Sequence, residues 1–272
     1  MVKSHQGGTL KGRLPFRLGT TSYVIPADIL PNVEFLAAQV DDVELILFES
    51  EETSNLPDEG VLAGLRSLAQ AHGLTYTVHL PLDARLGAAD EGERRRSVGK
   101  CLRVMELTRA LGPFAWIVHL DGEQQGPVPS LEPALWLARL SQSLEALTDA
   151  VPSPRLLCAE TLSYPFELVE ELVRECGLSA CLDVGHVLLA GGDPLASLER
   201  YLPEIRVIHL HGVREGRDHV SIGALDCAAL RRLLALLGGE GAADRVVTLE
   251  VFERPEFEDS VRVLAQEITW PR

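Results

Sequence analysis

The sequence predicts an α/β protein of the (β/α)₈ TIM-barrel class, and three observations carry that prediction. Short β-branched, apolar runs alternate with helical spacing along the whole 272-residue chain, in eight strand-helix pairs. No stretch is left over for a second domain, and 272 residues is an ordinary length for one such barrel. Imidazoles and carboxylates sit at or just past the ends of most of the apolar runs, where a barrel would gather them on one rim.

Taken in order, the first strand is expected over 16–23 and the first helix over 28–38. The run Val-Glu-Leu-Ile-Leu-Phe at 43–48 predicts a second strand closed by Glu49, with a helix over 56–72 that stops at Gly73. Strand three is expected over 74–80, and the charged helix 91–111 ends at Gly112-Pro113. Strand four covers 115–120, and the Leu-rich helix 130–151 is closed by Pro152 and Pro154. Strand five spans 155–160, and the helix 165–176 carries proline in its first turn. Strand six (180–184), helix 193–201, strand seven (206–210), helix 225–237, strand eight (246–251) and helix 255–268 complete the series. An open doubly wound sheet is the alternative, but the first strand ends in Gly19-Thr20-Thr21-Ser22-Tyr23 and carries no Gly-x-Gly-x-x-Gly turn.

Composition narrows the partners. The formal charge of -15, with 40 acids against 25 bases, argues against a DNA partner, because gripping a polyanion requires a basic face. It favours a small-molecule substrate. No apolar run approaches the roughly 20 residues a bilayer span needs. Five cysteines with no Cys-x-x-Cys pair suit a reducing cytoplasm. Residues 1–14 read as a flexible polar lead and 15–272 as the barrel.

The chemistry lies in the strand ends. His79, His119, Glu160, Asp183, His209 and Glu250 close strands three to eight, and Glu49 extends the ring to strand two. Each has a structural reading: a lone imidazole is more often satisfied by packing, Asp183 can cap the next helix, and Glu250 can be a solvated strand terminus. Six adjacent strands ending alike are better explained as one metal site. The imidazole and carboxylate donors suit Zn²⁺ or Mn²⁺, one to three per chain, whereas Cys158 and Cys181 read as small buried hydrophobes. His72 closes a helix, His5 lies in the lead, and Arg94-Arg95-Arg96 reads as a solvated helical face.

These residues resemble the xylose isomerase-like barrels, the superfamily of sugar isomerases, epimerases and endonuclease IV. The resemblance runs from Phe16 to Trp270 and centres on Glu160, Asp183, His209 and Glu250, on Leu182-Asp183-Val184-Gly185-His186, and on Asp218-His219-Val220-Ser221-Ile222-Gly223. It implies that the quartet binds a divalent ion. His79 and His119 resemble the endonuclease's ligands for an additional metal, and His186 and His219 resemble those of its third. There the endonuclease carries Asp-Arg-His, whereas this chain reads Arg217-Asp218-His219, which displaces the acid by one residue. The segments Arg17 to Tyr23, Pro26-Ala27-Asp28-Ile29, Asp42-Val43-Glu44-Leu45 and Phe48-Glu49 resemble the cobamide-remodelling phosphodiesterases of the CbiR type.

That likeness implies a metal-dependent phosphodiesterase. It would open the nucleotide loop of cobamides such as adenosylcobalamin or pseudocobalamin, leaving cobinamide phosphate and a nucleoside. Glu160, Glu250, His186 and His219 are the expected catalytic groups, with Glu160 bridging two ions. Glu49, His211 and Asp218 are expected to bind substrate. A sugar or polyol isomerase acting on a free sugar or sugar phosphate is the alternative, using one ion and the acid pair Glu160 and Glu250. A non-catalytic corrinoid- or metal-binding protein is the third reading.

Overall fold

The computed structural model describes residues 9–49 and 53–268. Eight parallel strands close into a barrel in the order β1-β10-β7-β6-β5-β4-β3-β2. They are β1 (Arg17–Thr21), β2 (Asp42–Ile46), β3 (Thr75–His79), β4 (Ala115–Val118), β5 (Leu157–Glu160), β6 (Ser179–Asp183), β7 (Ile205–Leu210) and β10 (Val246–Leu249). The fold class expected from the alternation of strands and helices is therefore the one observed.

Each strand alternates between two buried faces, as parallel strands covered on both sides must. One face packs under the surrounding helices, where Leu18, Val43, Leu45, Tyr76, Val78, Leu182, Ile208, Leu210 and Leu249 join a single core. The other face fills the barrel. Its apolar part is small: Ala115, Ile117, Cys158, Cys181 and Val207 cluster over Phe114, whose ring lies 4.0 Å under the Arg206 guanidinium. The two cysteines are thus buried packing groups, as their sequence context suggested. Asp42, Glu44, Thr77, Ser179 and Thr248 are buried polar groups on these same strands.

Five of the described helices begin at an aspartate whose side chain caps them. Asp58 accepts from Val61 N–H at the start of α2 (Glu59–His72), and Gly73, at φ 63, ends it in the left-handed region only glycine adopts freely. Asp90 caps α3 (Glu91–Thr108), and the rest of the expected helix to residue 111 tightens into a 3₁₀ turn. The remaining outer helices are α1 (Ile29–Leu36), α4 (Pro133–Thr148), α7 (Pro194–Tyr201), α8 (Cys227–Leu237) and α9 (Arg254–Glu267). The expected helix 165–176 divides into a 3₁₀ turn, Phe166–Leu168, and the short α5, Glu170–Glu175.

Two elements were not expected. Helix α6 (Val184–Leu189) follows β6 directly, and the antiparallel hairpin β8 (Gly212–Arg214) and β9 (Arg217–Val220) follows β7. Both stand at the carboxyl end of the barrel, where they carry His186 and His219.

Of the expected lead, 1–8 lies outside the described residues, as do 50–52 and 269–272 with Trp270. Residues 9–14 pack on the barrel: Leu10 is buried in the core, Lys11 Nζ donates to Ala37 O at 2.7 Å, and Gly12 N–H donates to Asp41 Oδ1 at 2.8 Å. Among the described residues, no helix is long and apolar enough to cross a membrane.

Candidate metal centre

Glu160 stands at the middle of the carboxyl face, at the end of β5. Its Oε2 lies 3.2 Å from His79 Nε2 and 3.1 Å from His119 Nε2. Its Oε1 faces the other way, 3.4 Å from His209 Nδ1. Asp183 Oδ2 and Glu250 Oε2 approach that same Nδ1, at 3.7 Å and 3.5 Å. One carboxylate thus joins two groups of donors: His79 with His119, and His209 with Asp183 and Glu250. A third group forms on the unexpected elements, where His186, Asp218 and His219 bring ligand atoms within 4.8 Å of one another. The one-residue displacement of Asp218 does not keep it out of reach. Its partner His219 sits at φ 52, in the left-handed region that histidine occupies more readily than most residues.

The nitrogens are sorted by their second contacts. A metal-binding imidazole usually donates its other N–H to a carbonyl or carboxylate, which fixes the tautomer and the ring direction. His79 Nδ1 donates to Leu80 O at 2.8 Å, His186 Nδ1 to Thr161 O at 3.2 Å and His219 Nδ1 to Glu250 O at 3.2 Å. His79 thereby turns Nε2 to Glu160 and His219 turns Nε2 to Asp218, whereas His186 Nδ1 also lies 3.3 Å from Glu160 Oε1. His119 Nδ1 lies 3.6 Å from the Asp121 carboxylate. His209 is reversed: its Nε2 donates to Glu44 Oε2 at 2.9 Å, which turns Nδ1 toward the acids of the site.

That Nδ1 is buried and has no hydrogen-bond partner, and neither does Glu250 Oε2. Buried polar atoms are rarely left unpaired, since each costs about 1–3 kcal/mol. Two such atoms 3.5 Å apart, with further acid oxygens beside them, fit a bound cation. The nitrogen and oxygen donors fit a divalent ion of the zinc and manganese type.

Charge supports the same fit. Burial would raise the Glu160 pKa, but His209 and His119 outweigh it and hold the group well below the usual carboxylate range. Burial likewise opposes ionisation of Asp183, and His209 and His211 overcome it. Glu250 goes the other way: burial, helped by Asp183, Glu160 and Glu44 against His209, pushes it well up. His119 and His186 are buried yet raised, to about 10 and about 9, chiefly by Glu160 and, for His186, Asp183. Protons on the imidazoles therefore balance the crowded acids, and a divalent ion can replace them. Burial and His211 lower the His219 pKa.

All six expected metal ligands meet here. Of the other expected residues, His186, His219 and Asp218 border the cluster. His211 is fully buried; its Nδ1 accepts from His219 N–H at 3.0 Å, so its Nε2 donates to Asp183 Oδ1 at 3.1 Å. It faces Asp183, with Nε2 also 3.5 Å from Glu250 Oε2. Glu49 is turned outward, where its Oε1 holds Arg103 at 2.7 Å. Asp183 serves two readings at once, since Oδ1 also accepts from His186 N–H at 2.6 Å and caps α6.

Three residues escaped the sequence reading: Glu44, Asp121 and Thr161. Asp42 and Glu44 alternate with Val43 and Leu45, a period of two that places acids on the inner face of β2. Adjoining the cluster, a cavity of about 360 Å³ is lined by His119, Asp121, His186, Arg85, Leu82 and Tyr164.

A closed parallel barrel with this acid and imidazole rim defines a class of barrel proteins with a candidate metal site at the carboxyl face. The chain belongs to the xylose isomerase-like TIM barrels, whose sequence profile it matches over residues 36–270. It is similar in structure to a D-tagatose 3-epimerase-like protein, with a TM-score of 0.71 at 19% identity, covering 93% of this chain and 97% of that one. It is also similar to the 3-keto-D-glucoside 4-epimerase YcjR from E. coli, with a TM-score of 0.68 at 15% identity, covering 93% and 98%. Endonuclease IV from Thermus thermophilus follows with a TM-score of 0.66 at 23% identity, covering 92% and 97%. Likeness at these identities carries the fold. No curated protein matches the chain in sequence.

Proposed function

We propose that the protein is a metal-dependent phosphodiester hydrolase that opens the nucleotide loop of cobamides, releasing cobinamide phosphate and a nucleoside. The observation that carries the hydrolytic part is the position of Glu160. It faces His79 and His119 through one oxygen and His209 through the other. An isomerase needs only the His209 group. A carboxylate joining two donor groups is what two-ion phosphoester chemistry uses. The corrinoid part rests on the sequence resemblance at 17–23, 26–29, 42–45 and 48–49.

Two ions held by Glu160 and its partners would neutralise charge on the phosphodiester and lower the pKa of a bound water toward ~7. Glu160, Asp183, His209 and Glu250 would hold one, and His79, His119 and Glu160 the other. His186, Asp218 and His219 can hold a third. His186 borders the mouth with its pKa raised to about 9, so it would carry a proton to donate to a phosphoryl oxygen or to the leaving oxygen, while His219, with Nδ1–H tied to Glu250 O, offers only an acceptor nitrogen. Arg85 lines the adjoining cavity and supplies a cation for a second phosphoryl oxygen. Phe252 packs edge-on against His219 at 5.0 Å and is partly exposed, an apolar contact for a large ligand.

A sugar epimerase is the second reading, and one observation favours it. Glu160 and Glu250 approach the same nitrogen with pKa values driven in opposite directions, the arrangement of a base facing an acid. The test is to incubate the metal-loaded protein with adenosylcobalamin or pseudocobalamin, and separately with ketohexoses, and to identify products by mass and chromatography. Cobinamide phosphate and a nucleoside are expected. An intact corrinoid with an epimerised sugar would overturn the hydrolase in favour of the second reading.

A further inference from the structure

We infer that Glu44 is a positioning residue that selects which nitrogen of His209 faces the metal, an inference that rests on the metal reading above. Both side chains are fully buried. Glu44 is on β2 and His209 on β7, strands that are not neighbours: β1 and β10 stand between them in the barrel. The 2.9 Å contact from His209 Nε2–H to Glu44 Oε2 therefore crosses the barrel interior. It is a bond the fold does not need for its own sake. A carboxylate inside a barrel is costly, and here its other oxygen, Oε1, has no hydrogen-bond partner. An apolar side chain of similar size would pack there at less cost.

Its effect falls on the ring. His79 and His219 are tied through Nδ1 to carbonyls at 2.8 Å and 3.2 Å and present Nε2 to Glu160 and Asp218. His209 alone among these is tied through Nε2, and so presents Nδ1 to Glu160, Asp183 and Glu250. Without an acceptor at Glu44, the proton is free to move to Nδ1, where the three acids would take it as a hydrogen-bond donor. The ring would then compete with the cation for those oxygens. The negative charge of Glu44 also strengthens the Nδ1 lone pair by drawing on the opposite N–H.

Three proteins test this: the wild type, Glu44→Leu and Glu44→Gln, whose amide oxygen can still accept from Nε2–H. Zn²⁺ affinity is measured by competition with a chromophoric chelator, and the tautomers by ¹⁵N shifts of the imidazoles in the Zn²⁺-loaded proteins. The wild type should show one histidine bound through Nδ1. Glu44→Leu should weaken Zn²⁺ by about 10–100-fold and lose that signal, while Glu44→Gln should keep the signal and lose less affinity. Circular dichroism separates a folded variant from an unfolded one. If Glu44→Leu fails to fold, Glu44→Gln decides, because a lost Nδ1 signal in that folded protein overturns the role. Unchanged affinity and tautomer in folded Glu44→Leu also overturns it. A wild type that takes up no Zn²⁺ overturns instead the metal reading on which it rests.

Discussion

Glu160 sits where the donor groups meet, so its charge matters more than its size. Glu160→Gln keeps the shape and removes the charge that both groups share. Loss of an outer partner alone commonly costs 10–100-fold in metal affinity or activity, so this variant should lose more than about 100-fold in turnover. It should also fall short of wild-type metal content by mass spectrometry under native conditions. Full activity with full metal content would remove the bridging role. The histidines give a pH signature. In the metal-free protein, burial opposes the charging of His119, but Glu160 and then Asp121 outweigh it and raise its pKa from 6.5 to about 10. A raised folded pKa means stability present in full below about 6.5 and lost as pH rises toward 10. Chelated wild type should therefore lose thermal stability across that window, and chelated His119→Ala should lose less. Metal uptake near neutral pH should release protons, which calorimetry in buffers of different ionisation enthalpy will register.

At the scale of elements, α6 and the β8-β9 hairpin bring in what the eight strands lack. Gly185, in the first turn of α6, lies so close to His211 that a Cβ there would overlap the ring. Close approach, not φ, makes that position glycine. His211 in turn holds Asp183. Gly185→Ala should therefore push the imidazole off Asp183 and cost about 1–3 kcal/mol, the usual range for overpacking. It should also weaken metal binding, although residue 185 touches no metal. Denaturant unfolding and chelator competition on the same preparation check both effects, and an unchanged affinity would show that His211 does not hold Asp183. Neither element was legible from periodicity. Val184-Gly185-His186-Val187-Leu188-Leu189 is under two turns long and merges with the apolar run of β6. The hairpin is polar, and its turn at Glu215-Gly216 has φ values of 55 and 78, set by local contacts more than by pattern.

The whole molecule is held by one apolar shell between barrel and helices, while the barrel interior beneath the site is partly polar. Cation binding should then appear as global stability, because the donors come from strands all round the barrel. A metal present at about 100 times its Kd adds about 2.7 kcal/mol, which raises Tm by roughly 5–10 °C in a chain of this size. Scanning calorimetry before and after EDTA measures it, and an unchanged Tm would mean that no structural cation binds.

The alternation of strand and helix, and the acids and imidazoles at strand ends, were determined by local sequence. Burial on both faces of parallel strands demands continuous apolar runs, and barrel topology then carries their ends to one rim. His79, His119, Glu160, Asp183, His209 and Glu250 could be found that way because a side chain's place on a strand follows from its number. Tertiary structure alone decided which atoms face one another. Glu44 and His209 are 165 residues apart, and nothing local marks one as the partner of the other. The outward turn of Glu49 toward Arg103, and the burial of His211 against Asp183, depend on α3 and α6 arriving beside them. Residue type and strand register are local, but the direction of a lone pair is set by contacts across the barrel.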